Sequence, residues 1–187
     1  MTSAELRRLG FAVVPGVAGV AAAVVVVLLL VAFDAKSGPR LGDHWHAPYA
    51  IFVGDVHMPS IPEIVTPEGI HTHGDGIIHV HPHLPVAENS GARLEQFFFD
   101  MGGRLTDTEM TIPGTAEVFR EGDDVDGAPA EIRILRADSG IHPLANGFAT
   151  ASEGCDAMPE SAFQEVDRRY VVRDGDCIRI IFGPIAQ

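Results

Sequence analysis

Apolar and polar positions alternate in three different ways along the chain. Residues 11–33 (FAVVPGVAGVAAAVVVVLLLVAF) contain no charge in 23 positions. As a helix rising about 1.5 Å per residue, this run would cross a hydrocarbon core of about 30 Å. A cleaved signal peptide would have an apolar core of only about 7–15 residues, and Val31-Ala32-Phe33-Asp34 is a poor cleavage site. The pattern predicts a retained transmembrane helix, with Pro15 near its start, where a helix tolerates proline best.

Beyond the apolar run the period shortens to two. Residues 46–53 (HAPYAIFV), the turn Gly54-Asp55 and residues 56–58 (VHM) read as a β-hairpin. Residues 70–73 and 77–81 read as strands flanking Gly74-Asp75-Gly76. Further strands are expected at 116–119 and 130–135, on either side of the acidic turn 121–127 (EGDDVDG), and at 177–182 (CIRIIF) after Asp174-Gly175-Asp176. The third regime is helical: Leu94, Phe97, Phe98 and Met101 recur at i, i+3, i+4 and i+7, which predicts a helix over 92–101 that Gly102-Gly103 ends. Residues 138–167 show weak periodicity and are expected to be an irregular insertion.

The fold class that follows is α+β: a small, mostly antiparallel sheet with one packed helix, best described as β-grasp-like. The chain divides into a stub (1–10), the span (11–33), a tether rich in Gly, Pro and charge (34–43, DAKSGPRLGD) and a single domain (44–187). A ten-residue stub carries no fold and holds Arg7 and Arg8, which places the amino terminus inside and the domain outside the cell membrane. The protein is thus expected to be single-pass and extracytoplasmic, with the membrane as its first partner.

Removing Glu5, Arg7 and Arg8 from the 26 acidic and 13 basic residues leaves 25 and 11, so the exported part carries a formal charge of −14. Nucleic acid and anionic lipid are poor partners for such a surface. Both cysteines, Cys155 and Cys177, fall in the exported part, where a disulfide is permitted. Two free thiols, or a cysteine ligand, are the alternatives. The 121–127 turn lacks the spacing and terminal Glu of a calcium loop and reads as a solvated turn.

The chemistry sits in the histidines. Seven of the nine form the clusters His44-Trp45-His46, His71-Thr72-His73 and His79-Val80-His81-Pro82-His83. Residues two apart in a strand project on one face, so each pair delivers two imidazoles to one side, while Ile78 and Val80 face the core. Convergence of four to six imidazoles would make a site for zinc or copper. The candidate ligands are His44, His46, His71, His73, His79 and His81. His83 follows a strand-ending Pro82, and His57 and His142 are isolated. Asp75 could ligate or orient an imidazole, or serve only its turn; Asp43 and Asp55 are similar cases, and Met58 would matter only for copper.

His71-Thr72-His73 is similar to the paired histidines of amidohydrolases, and His44-Trp45-His46 to those of multicopper oxidases. The chain is too short for a barrel of about 250 residues and has no His-Cys-His motif. It more closely resembles a set of uncharacterised bacterial membrane-anchored or secreted His-rich proteins, through His44-Trp45-His46-Ala47, Gly69-Ile70-His71-Thr72-His73, Gly76-Ile77-Ile78-His79-Val80 and Leu94-Glu95-Gln96-Phe97-Phe98. It departs from them at His81, where such proteins have Glu, and at Phe99-Asp100-Met101-Gly102. The resemblance implies a small exported domain and carries no activity.

The expected function is a membrane-tethered domain that binds zinc or copper in a structural, buffering or delivery role. A metalloenzyme would also need an open coordination position and a general base such as Asp75 or Glu68. An interaction module docking on a membrane-protein complex would use the histidines only for the fold or a pH response.

Overall fold

Gly54 takes a positive φ of 56° as the first central residue of its turn, the conformation a primed two-residue hairpin requires. It joins β1 (Trp45–Val53) to β2 (Val56–His57), in the register Phe52 opposite His57 and Val53 opposite Val56. The computed structural model describes residues 38–64, 69–138, 155 and 158–184. The stub and the apolar 11–33 run lie outside the described residues, and among these no helix is long and apolar enough to cross a membrane.

After the hairpin come β3 (Ile70–His71), β4 (Ile77–Val80), α1 (Leu94–Asp100), β5 (Arg104–Leu105), β6 (Glu109–Thr111) and β7 (Val118–Arg120). The chain continues through β8 (Asp124–Val125), β9 (Ala128–Asp138), β10 (Gln164–Val166) and β11 (Asp176–Pro184). The main sheet runs β10-β9-β11-β1-β4-β3, with β2 paired to β1 and β8 to β9, and a smaller sheet runs β5-β6-β7. The class is α+β and mostly antiparallel, as the alternation predicts. The exception is the central pair: β1 lies parallel to β11, with Tyr49 opposite Ile178 and Val53 opposite Phe182.

One face of the sheet meets α1. Ala47, Tyr49, Ile51, Ile70, Ile78, Val80, Ile178, Ile180 and Phe182 are buried against Leu94, Phe97, Phe98 and Met101. The helix is shorter than the 92–101 stripe because Arg93 is extended (φ −80°, ψ 154°) and makes a bridge to Val171. A seven-residue helix has little intrinsic stability, so its apolar stripe holds it in place. Within the core, the buried Tyr49 hydroxyl accepts a bond from Ile61 N–H at 2.9 Å, and burial pushes its pKa up to about 12.

The opposite face is covered in part by Cys155, Met158 and Phe163, packed on Ala137 and Cys177. Cys155 and Cys177 are disulfide-bonded, with Cα atoms 5.5 Å apart. Of the irregular insertion expected over 138–167, residues 139–154 and 156–157 lie outside the described residues, and both described flanks carry strand. β9 extends to Asp138, and β10 returns to pair Gln164–Val166 with Arg136–Ile134. The 121–127 turn is a local device: Asp123 accepts from Arg120 N–H and Asp124 from Gly127 N–H, with Asp126 and Gly127 at positive φ in the β8–β9 turn.

Candidate metal centre

Strand registry assembles the histidines in rows. β1 and β4 pair antiparallel with His46 opposite His79 and Trp45 opposite Val80, which sets His44 opposite His81. β3 and β4 pair with His71 opposite His79. By alternation, His44, His46, His71, His73, His79 and His81 all project from the face opposite the core, while Ala47, Ile78, Val80 and Ile70 project into it. The rings meet: centroids are 3.8 Å apart for His44 and His81, 4.9 Å for His46 and His79, and 5.8 Å, stacked, for His71 and His79.

Four of these side chains, His44, His46, His79 and His81, could hold a metal ion: one ligand atom from each lies within 4.8 Å of all the others. Nitrogens around tetrahedral zinc, bonded at about 2.0–2.1 Å, sit about 3.3 Å apart. The rings would therefore close in by about 1 Å on loading. All four donors are imidazoles, which ligate in the neutral form; such a set suits zinc and copper and leaves the ion its full charge. His46 and His79 are buried, His81 is half-buried and His44 is exposed, so the ion would have one solvent-facing side.

Three ring nitrogens of the cluster, His71 Nδ1, His79 Nδ1 and His81 Nε2, are buried with no hydrogen-bond partner among the described residues. A buried polar atom left unpaired costs about 1–3 kcal/mol, so these positions call for a ligand. At His71, His81 and His46 the surroundings favour the neutral, ligating form. Burial, then the neighbouring His73 and His79, lowers His71 to about 4; burial, then His44 and His71, lowers His81 to about 4. His46 is lowered too, first by burial and then by His79 and His44.

Asp75 orients His79. His79 Nε2–H donates to Asp75 Oδ2 at 3.0 Å, so the other nitrogen, Nδ1, keeps its lone pair for an ion. Asp75 Oδ1 accepts from Thr72 Oγ1–H at 3.3 Å and from Ile77 N–H at 3.1 Å. Burial acts to raise this carboxyl, but the bonds from His79 and Ile77 outweigh it and bring Asp75 to about 2. Of the roles open to Asp75, its bonds match the orienting one, to His79, and the turn one, to Thr72 and Ile77.

His46 is held from the other end of the chain. Its N–H donates to Asp174 Oδ1 at 3.0 Å, and Gly175 N–H donates to its carbonyl at 2.9 Å. That turn is fixed by Asp176, which is 1% exposed and accepts from Arg136 Nε, Tyr170 Oη and Arg173 N–H. Burial pushes the Asp176 carboxyl up despite these donors. Neither Asp174 nor Glu63, which lies 3.1 Å from His73 Nδ1, was readable as a site residue. Asp174 is 128 positions from His46, and Glu63 sits in a Pro-rich crossing whose path no local pattern sets.

His71 and His73 stand beside the compact four without joining it. His83 is exposed, its ring 6.3 Å from that of His81. His57 lies apart, stacked on Phe52 at 5.0 Å. Asp43 bonds to Arg40 N–H, Asp55 is exposed in the β1–β2 turn, and Met58 packs against the core. His142 and Glu68 lie outside the described residues. No family model, curated protein or solved structure matches the chain, so the resemblance drawn from its histidine and aromatic motifs rests on those motifs alone.

Proposed function

We propose that this protein is a membrane-tethered, extracytoplasmic domain that binds zinc or copper through His44, His46, His79 and His81, for buffering or delivery. The observation that carries the reading is the set of four imidazoles whose ligand atoms approach within 4.8 Å, with buried, unpaired nitrogens on His79 and His81. The exposure of His44 favours exchange over a sealed structural ion. Location is supported by the apolar 11–33 run and by the disulfide, which suits an oxidising compartment. The parallel β1–β11 pair, flanked by antiparallel β4 and β9 with α1 on one face, supports a β-grasp-like description.

A metalloenzyme reading gains less support, because Asp75 is committed to His79, Thr72 and Ile77. The test is elemental analysis of the full-length chain, purified in detergent without a metal-affinity step, then stripped and reloaded. Stoichiometric zinc or copper is expected. No ion retained at micromolar loading would sink the proposal and leave the interaction-module reading in front.

A further inference from the structure

A closed tetrahedral ion takes four ligands, but six imidazoles share this face. We propose that His71 and His73, with the Glu63 carboxylate beside them, hold a second divalent cation next to the ion of the four-histidine set. This inference rests on the metal-binding reading of that set. His71 is 6% exposed, and its Nδ1 is buried and unpaired. Its ring is 4.8 Å from that of His73 and lies stacked over His79. The His73 ring is in turn 4.5 Å from His79. His79 therefore forms the wall between the two positions.

The backbone explains how a carboxylate reaches this pair. An isolated bridge between Ile64 and Thr72 lays the 63–64 segment antiparallel to the continuation of β3, which sets Glu63 opposite His73, where its Oε1 is 3.1 Å from Nδ1. Two imidazoles and one carboxylate leave positions for water, on a side where Glu63, His73, Gly74 and Asp75 are all exposed. Two cations this close repel, and Glu63 and Asp75 supply negative charge on the side of the second. The first ion has four protein ligands and no carboxylate; the second is wetter and more weakly held. Both ions keep a solvent-facing side, and the weaker second one leaves first, which suits a buffer or a donor.

The experiment is Zn²⁺ titration of the chelator-stripped full-length chain in detergent, counted by equilibrium dialysis with elemental analysis. Two ions per chain are expected, the second weaker. In His71→Ala/His73→Ala the count falls to one, with the tighter affinity changed less than threefold. The milder Glu63→Gln, which leaves both rings in place, weakens only the second ion, by about tenfold or more. One ion per chain that survives His71→Ala/His73→Ala overturns the second position and leaves the first intact. One ion lost in that variant overturns it differently, by making His71 and His73 ligands of a single site. No ion at all removes the underlying metal-binding reading.

Discussion

Arg179 on β11 and His79 on β4 project from the same face of the main sheet, and both are buried, yet their surroundings differ. Arg179 donates from Nη1 to Glu160 at 2.9 Å and from Nη2 to the carbonyls of Cys155 and Met158, and its guanidinium lies 4.0 Å from the Phe163 ring centroid. At the other end of the face, His71, His79 and His81 each bury a ring nitrogen that no protein group meets among the described residues. Folding surrounds the two Nη atoms of the guanidinium with acceptors and a ring face, and gives these three imidazole nitrogens no hydrogen-bond partner among the described residues. One end is tied into the fold, and the other is a cluster of histidines that could hold a metal ion.

The contrast breaks most completely in His79→Ala/His81→Ala, which removes two of the four close donors. Metal retention by elemental analysis is expected to vanish, together with any metal-induced rise in Tm. In the unsubstituted protein that rise corresponds to about 2.7 kcal/mol at free metal one hundred times Kd. A variant that keeps both retention and the Tm rise would contradict the ligand assignment.

The other end should respond independently. Replacing Cys155 and Cys177 together by serine is expected to lower stability by about 2–4 kcal/mol in urea unfolding without changing metal content. Loss of metal in that variant would show that the two ends are coupled.

Asp75→Asn tests orientation. The amide keeps the shape but loses the charge that favours the Nε2–H tautomer of His79, so metal affinity should drop about 10–100-fold by competition with a chromophoric chelator. An unchanged affinity would reduce Asp75 to a turn residue.

A further test is the pH response of the metal-free domain. His71 and His81 are held at about 4 in the folded chain, below their ordinary 6.5, so between these values the unfolded chain binds more protons. Their contribution to stability is therefore fully present above pH 6.5 and is lost as pH falls toward 4. Tm measured with chelator from pH 8 to 4 should be level and then decline, and added metal should extend the plateau downward. A chelated protein with level Tm down to pH 4.5 would show that the rings are not held neutral.

Much of this arrangement is legible in the sequence. Strict alternation placed each pair of imidazoles on one face of its own strand, with Ile78 and Val80 on the other, because a one-residue slip would bury the wrong set. The Leu94, Phe97, Phe98, Met101 stripe and the Gly54-Asp55 turn likewise carried their own geometry. The four-membered set was not legible, since it depends on β4 lying between β1 and β3 and on registers that local pattern does not fix. The parallel β1–β11 pair joins the two ends of the domain, and the Asp174 clamp on His46 rides on it. Short strands such as Arg104–Leu105 and Asp124–Val125 leave no periodicity to detect.

The reading stands or falls on whether His44, His46, His79 and His81 surround a bound ion. X-ray absorption at the zinc edge, on full-length protein loaded with one equivalent, tests it most directly. A nitrogen shell at about 2.0–2.1 Å is expected, with the outer-shell scattering of several imidazoles and no sulfur. A sulfur distance near 2.3 Å, or a shell of oxygen alone, would contradict it.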